Sequence, residues 1–234
     1  MKLIVGNLKM NLLQNEINDY LGEVLKYSFP NVVYCPSSIY LKMFVDNNLI
    51  TGSQDVSAYE QGAYTGDVGA SQLSSLGVKY VIIGHSERRK YYDDEKYLNA
   101  KHKLCIKNGL IPILCIGENK EEYLQKKTIK VLEKQLDILE NIDVSKIIIA
   151  YEPIWSIGTG VLASNEEIYK ITSHIKKYIY DKYQHTPKVL YGGSVNNQNI
   201  RELENILNID GYLIGGCSIK VLEFIDLIKV VNKY

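Results

Sequence analysis

An excess of charge of either sign is missing from this sequence: 27 basic residues balance 27 acidic ones. No global field therefore draws the protein toward nucleic acid or an anionic membrane, and an anionic ligand has to be held by local geometry. Cysteine is sparse as well. Cys35, Cys105, Cys115 and Cys217 are scattered, with no Cys-x-x-Cys and no histidine at ligand spacing, which argues against zinc and against a disulfide framework. Cys35 and Cys115 lie in apolar runs and read as reduced, buried thiols. Five prolines are too few to suggest a linker, and no low-complexity or Gly/Ser-rich tract divides the chain. One domain over residues 1–234 is expected, a length that parallel α/β barrels commonly reach. Only Leu3, Ile4 and Val5 precede polar Asn7 and Lys9, too short an apolar run for a signal peptide or a spanning helix. The expectation is a soluble, cytoplasmic protein with no membrane or nucleic-acid partner.

What is present is an alternation. Short apolar runs occur at Leu3 to Val5, Val32 to Tyr34, Leu49 to Thr51, Tyr80 to Ile83, Ile111 to Ile116, Ile147 to Ala150, Val189 to Tyr191 and Tyr212 to Ile214. Their continuous hydrophobicity is that of strands covered on both faces, as parallel strands are. Between them, Ile17, Tyr20, Leu21, Val24 and Leu25 form a one-sided helical stripe. Ile168, Ile171, Ile175 and Ile179 repeat it after Ser164-Asn165-Glu166-Glu167, whose spacing suits a capping box. The third, seventh and eighth helical units are weaker. Alternating β and α units imply right-handed crossovers and a parallel sheet, either closed into a barrel or open and doubly wound; periodicity does not choose between them.

In a barrel, chemistry collects where strands end. The first run ends Gly6-Asn7-Leu8-Lys9-Met10-Asn11. One lysine there is ordinarily a solvated charge, so its meaning depends on its company. The fourth ends Gly84-His85-Ser86-Glu87-Arg88-Arg89. Consecutive His-Ser-Glu cannot serve as a hydrolase triad in series, but a helix starting near Ser86 disfavours imidazolium and leaves a neutral ring able to donate. The sixth ends Tyr151-Glu152-Pro153, a carboxylate that partial desolvation raises toward a working pKa as a general base. Beyond it, Ile154, Trp155 and Ile157 lead to Gly158-Thr159-Gly160, either a lid that swings as a unit or a loop packed permanently onto the barrel. Gly192-Gly193-Ser194 and Gly215-Gly216 close the last two runs, where backbone N–H groups can approach a phosphate closely.

Taken together, these segments resemble the triosephosphate isomerase family nearly end to end, from Gly6 to Ser218. The resemblance rests on Gly6 to Asn11, Gly84 to Arg89, Ala150 to Trp155 with Ile157 to Gly160, Tyr191 to Val195, and Gly215-Gly216, in the family's order. It implies a single (β/α)₈ TIM barrel of eight parallel strands with an outer ring of helices. It also implies interconversion of dihydroxyacetone phosphate and D-glyceraldehyde 3-phosphate through an enediolate, in glycolysis and gluconeogenesis, without cofactor or metal. Glu152 takes the role of base, His85 that of neutral electrophile, and Lys9 and Asn7 bind substrate. Gly158, Ser194, Gly215 and Gly216 present phosphate donors, Glu87 pairs with Lys9, and Ser86 holds Glu152 when the lid is open. A homodimer is implied too, with the loop Gln61 to Asp67, Thr65 at its tip, entering the partner. Leu8, Val161 and the shortened segment Tyr92 to Glu95 depart from the family pattern, in packing, lid flank and interface. Another phosphate-binding barrel isomerase or epimerase explains the late glycines but not Lys9, His85 and Glu152 together. A non-catalytic sugar-phosphate-binding barrel has no need of base, electrophile and lid.

Overall fold

Each apolar run is covered twice, once by its neighbours across a barrel and once by helices. The computed structural model describes residues 1–158 and 163–233. Its strands are β1 (Leu3–Asn7), β2 (Val32–Cys35), β3 (Gly52–Ser53), β4 (Tyr80–Ile83), β5 (Ile111–Ile116), β6 (Ile148–Tyr151), β7 (Lys188–Tyr191) and β8 (Gly211–Ile214). All pair in parallel, in the order β2-β1-β8-β7-β6-β5-β4-β3. A parallel bridge between Tyr34 and Thr51 joins the two outermost strands. The sheet thus closes on itself, which decides for the barrel over the open alternative. Val5, Val33, Ile82, Ile113, Ile148 and Leu190 pack together inside. Their strand neighbours Ile4, Tyr34, Val81, Leu114, Ile149 and Tyr191 face the helices. Alternate residues point to opposite faces of a strand, so two buried faces require a run without polar interruptions.

The helices are α1 (Gln14–Val24), α2 (Leu41–Asp46), α3 (Ala70–Leu76), α4 (Ser86–Tyr91), α5 (Glu95–Lys107), α6 (Lys120–Leu124), α7 (Thr128–Leu136), α8 (Asn165–Tyr183), α9 (Ile200–Leu203), α10 (Gly216–Ile219) and α11 (Val221–Asn232). Among the described residues, no helix is long and apolar enough to cross a membrane. The stripe on α1 is buried at Ile17, Tyr20, Leu21 and Val24, but Leu25 caps the helix and is 45% exposed. All four isoleucines of the α8 stripe are buried. Ser164 Oγ accepts from the Glu167 N–H at 3.2 Å, while the Glu167 carboxylate accepts from the Tyr123 hydroxyl at 3.4 Å. Only one half of the expected capping box is therefore recorded. The last unit is stronger than its pattern suggests: α11 buries Phe224, Ile225, Leu227, Ile228 and Val231, and its nearly unbroken apolar sequence hides the stripe.

β3 departs most from expectation. The run Leu49 to Thr51 marks the approach to the strand rather than the strand itself. Leu49 N–H donates to the Phe44 carbonyl at 3.1 Å, ending α2, and the ladder with β4 is made by Gly52 and Ser53. A Cβ on Gly52 would lie 2.5 Å from Cys35 Sγ, so close packing demands the residue type that hydropathy overlooks.

The shortened segment at Tyr92 to Glu95 has a local purpose. Asp93 accepts from buried Lys101 Nζ at 2.6 Å, and Asp94 Oδ1 accepts from the Tyr97 N–H at 2.9 Å, capping α5. The next turn holds His102, fully buried, with Nδ1 2.7 Å from the Leu98 carbonyl. Burial holds His102 down at about 4, from an ordinary value of 6.5. Between those values the unfolded chain binds the extra proton and the native state does not, so native stability is lost as pH falls through this window. The loss is on the order of 3 kcal/mol. Urea unfolding at pH 7 and pH 4 is expected to show a pH dependence smaller by about that amount in His102→Leu; equal dependence in the two proteins would contradict the assignment.

Candidate active site

The carboxyl ends of β1, β4 and β6 meet. Beyond β1, Lys9 adopts a left-handed φ of +51°, uncommon outside glycine and strained. Side chains clamp that backbone from both sides. Its N–H donates to Asn7 Oδ1 at 3.0 Å, and its carbonyl accepts from Ser37 Oγ at 3.0 Å and Gln54 Nε2 at 2.8 Å. The ammonium reaches Glu87 Oε1 at 2.6 Å, the pairing anticipated from the sequence. A Cβ on Gly215 would lie 3.1 Å from Lys9 Cε, so the lysine stem passes over the end of β8.

His85 caps α4, which begins at Ser86 as expected. Its Nδ1 accepts from the Glu87 N–H at 3.3 Å, and its Nε2 lies 3.2 Å from Glu152 Oε1. Both side chains are buried, His85 5% and Glu152 3% exposed. Ammonium, imidazole and carboxylate thus form one chain of contacts: Lys9, Glu87, His85, Glu152. Room for the carboxylate is made by glycine. A Cβ on Gly192 would lie 2.9 Å from Glu152 Cγ, and one on Gly117 would fall 1.7 Å from the Glu152 carbonyl oxygen.

Electrostatics corrects one expectation. Burial is the largest single influence on the Glu152 carboxyl and pushes it up, while the attraction and hydrogen bond of His85 pull it down. The Cys115 thiol and the Ser86 backbone N–H add to the effect, and the group is held below the ordinary glutamate value. The raised pKa inferred from desolvation alone is therefore not that of the paired carboxylate. Burial lowers His85, yet Glu152 reverses this and makes the ring more basic than usual while the two touch. A neutral ring with its proton on Nε2 satisfies both contacts, because Nδ1 must keep a lone pair for the Glu87 N–H.

The segment after Pro153 is docked along its described part. Trp155 Nε1 donates to Glu118 Oε1 at 2.8 Å and its ring stacks on Tyr123 at 4.3 Å between centroids. Ser156 is buried, its Oγ accepting from the Ser194 N–H at 3.4 Å. Thr159, Gly160 and Val161 lie outside the described residues. Gly158 has a φ of +70°, and a Cβ added there would meet nothing within 4 Å. Gly215 and Gly216 open α10, and Ser218 Oγ donates to the Asn7 carbonyl at 3.2 Å, tying β8 to β1.

Several residues escaped the sequence reading. Glu118 is fully buried and accepts from Trp155 Nε1 and, at 3.3 Å, from the Tyr151 hydroxyl. It follows β5 much as Glu152 follows β6, and that position was the available signal. Ser37 and Gln54 gave none, since their role depends on contacts 28 and 45 residues away. The four cysteines are free and buried; the Cys115 thiol, pushed well up by burial, lies against Glu152.

Comparison with known proteins places the chain in a family. The family described as triosephosphate isomerase matches residues 2–231. Relatives named triosephosphate isomerase include those of Alkaliphilus oremlandii, 40% identical over 97% of this chain and 98% of its own, and Mesomycoplasma hyorhinis, with the same identity and coverage. That of Saccharomyces cerevisiae is 37% identical over 97% of each chain. On that match, which spans nearly the whole of its length, the chain belongs to the triosephosphate isomerase family.

Proposed function

We propose that this protein interconverts dihydroxyacetone phosphate and D-glyceraldehyde 3-phosphate by moving a proton between adjacent carbons. The observation that carries the reading is the contact of His85 Nε2 with Glu152 Oε1 at 3.2 Å, with Lys9 joined to the same group through Glu87. Glu152 removes a proton from the carbon beside the carbonyl, and the electron pair moves onto the carbonyl oxygen to give an enediolate. The carboxyl then returns the proton to the neighbouring carbon. His85 donates from Nε2 to the oxygen that gains charge and passes protons between the two oxygens, while the Lys9 ammonium offsets that charge. A glutamate base beside a neutral histidine is a known pattern of pKa tuning in triosephosphate isomerases.

A substrate between His85 and Glu152 breaks their contact. Glu152 then loses the group that lowers it and keeps the burial that raises it, so it becomes the stronger base as it meets the carbon acid. Asn7 braces Lys9 and faces the substrate. Gly158, Ser194, Gly215 and Gly216 offer backbone donors to the phosphate, and Ser86 steadies Glu152 between turnovers. Closure over the site by the segment from Ile154 to Gly160 keeps water from an enediolate that can otherwise eliminate phosphate. The reaction belongs to glycolysis and gluconeogenesis in the cytoplasm. A coupled assay on glyceraldehyde 3-phosphate tests the reading: turnover to the ketose supports it, and none from folded protein refutes it.

The working unit we propose is a homodimer. The loop around Thr65 is a braced projection: Ser57 N–H donates to the Val68 carbonyl at 2.8 Å, Ser57 Oγ meets Asp67 Oδ2 at 2.6 Å, and Tyr59 stacks on Tyr64 at 3.9 Å. A cavity of about 770 Å³ beside it reaches Lys9, His85 and Glu87, and Met10, Tyr91 and Tyr92 are exposed nearby at 93%, 66% and 65%. Sedimentation at micromolar concentration is expected to show a dimer, and a species that stays monomeric throughout would remove the loop from its place in the partner.

A further inference from the structure

Arg89 on α4 is a half-buried cation with an unusual set of partners. Nε donates to the Gly84 carbonyl at 2.8 Å and Nη2 to the Cys115 carbonyl at 2.9 Å. No carboxylate among the described residues lies within ion-pair distance of it. A guanidinium partly withdrawn from water without a paired anion is costly, and burial lowers its pKa; such a group persists where its geometry is needed. The two carbonyls are not arbitrary. β4 and β5 are paired up to Ile83 and Leu114, so Gly84 and Cys115 are the next residues on each, where the ladder stops. One planar fork therefore spans the last step between the strands and satisfies two buried carbonyl groups there. Gly84 leads directly into His85, and the Cys115 side chain lies against Glu152. Gly84 itself is shaped around the fork, with φ +70° and a hypothetical Cβ 3.0 Å from Arg89 Nη2.

We propose that Arg89 is a positioning residue for the isomerisation, its guanidinium fixing the separation of the β4 and β5 ends and, through the Cys115 side chain that lies against Glu152 at the end of β6, the placement of His85 relative to Glu152. This rests on the roles given to His85 and Glu152 above. Arg89 touches neither substrate nor reacting atoms. It also attracts the Glu152 carboxylate, so its loss acts on proton affinity as well as geometry.

Arg89→Met and Arg89→Lys, assayed beside the wild type on glyceraldehyde 3-phosphate, test this. Arg89→Met is expected to lower kcat by about 10²-fold, the scale of a misplacement near 1 Å, with KM and the affinity for glycerol 3-phosphate little changed. The acidic limb of its kcat/KM profile moves to higher pH, because a positive charge near Glu152 is gone. Arg89→Lys keeps the charge and reaches one carbonyl, and recovers part of the lost kcat. Folded Arg89→Met with wild-type kcat, or losing affinity as much as kcat, overturns the proposal. Should Arg89→Met not fold, wild-type kcat in Arg89→Lys overturns it equally. An inactive wild type instead overturns the isomerase reading itself.

Discussion

Glu152→Gln is expected to lower kcat by about 10³- to 10⁴-fold, toward the upper end of what a positioned general base contributes, while leaving the affinity for glycerol 3-phosphate largely intact. The amide has the shape of the carboxyl, which matters where the side chain passes so close to Gly192 that a Cβ there would lie 2.9 Å from Glu152 Cγ. It still accepts from His85 Nε2, but it cannot take a proton from carbon. Of the groups proposed to hold the phosphate, all but Gly158 stand beyond the ends of β7 and β8, on other parts of the chain, so ground-state binding survives. A loss in kcat without one in affinity marks a transition-state role. Calorimetry with glycerol 3-phosphate and a coupled assay separate the two, and near-normal turnover would take the base away from Glu152.

The second large effect is at His85. His85→Gln keeps a donor near the carbonyl oxygen but lacks the second nitrogen through which the ring is oriented by the Glu87 N–H. The expected loss in kcat is about 10²- to 10³-fold, the worth of one well-aimed donor to a developing oxyanion. A second consequence follows from the contact at 3.2 Å. His85 holds the Glu152 carboxyl down against burial; without it, burial prevails and the folded-state pKa rises. Glu152 must be ionised to act, so the acidic limb of kcat/KM for free enzyme shifts to higher pH in His85→Gln. A limb that stays put would mean that the two groups are not in contact in solution.

These effects separate what the letters convey from what only the fold supplies. Seven strands could be placed from continuous apolar runs because a closed parallel barrel leaves neither face wet. β3 could not, because a strand of Gly52 and Ser53 carries no apolar signature. The groups proposed to react were legible for a related reason: each is among the first polar residues that a buried strand delivers to the barrel mouth, so order along the chain fixes its address. Protonation was not legible. Desolvation of Glu152 can be guessed from four preceding apolar residues, but the groups that together oppose it, an imidazole on another strand first among them, cannot. The same holds for the clamp on Lys9, where Ser37 and Gln54 approach one carbonyl from separate loops, and for the fork of Arg89. Local sequence marks where a functional group stands; its neighbours from distant segments determine its charge and its strain.

The central claim is that one carboxylate carries a proton between two carbons of a bound triose phosphate, with His85 and Lys9 stabilising the charge between. Proton NMR of the reaction in D₂O, run with wild type and Glu152→Gln side by side, addresses it most directly. The account predicts wild-type conversion of glyceraldehyde 3-phosphate to the ketose, with solvent deuterium entering at the carbon that receives the proton, and almost no conversion by Glu152→Gln. Equal conversion by both proteins, or a folded wild type that leaves the substrate unchanged, would contradict it.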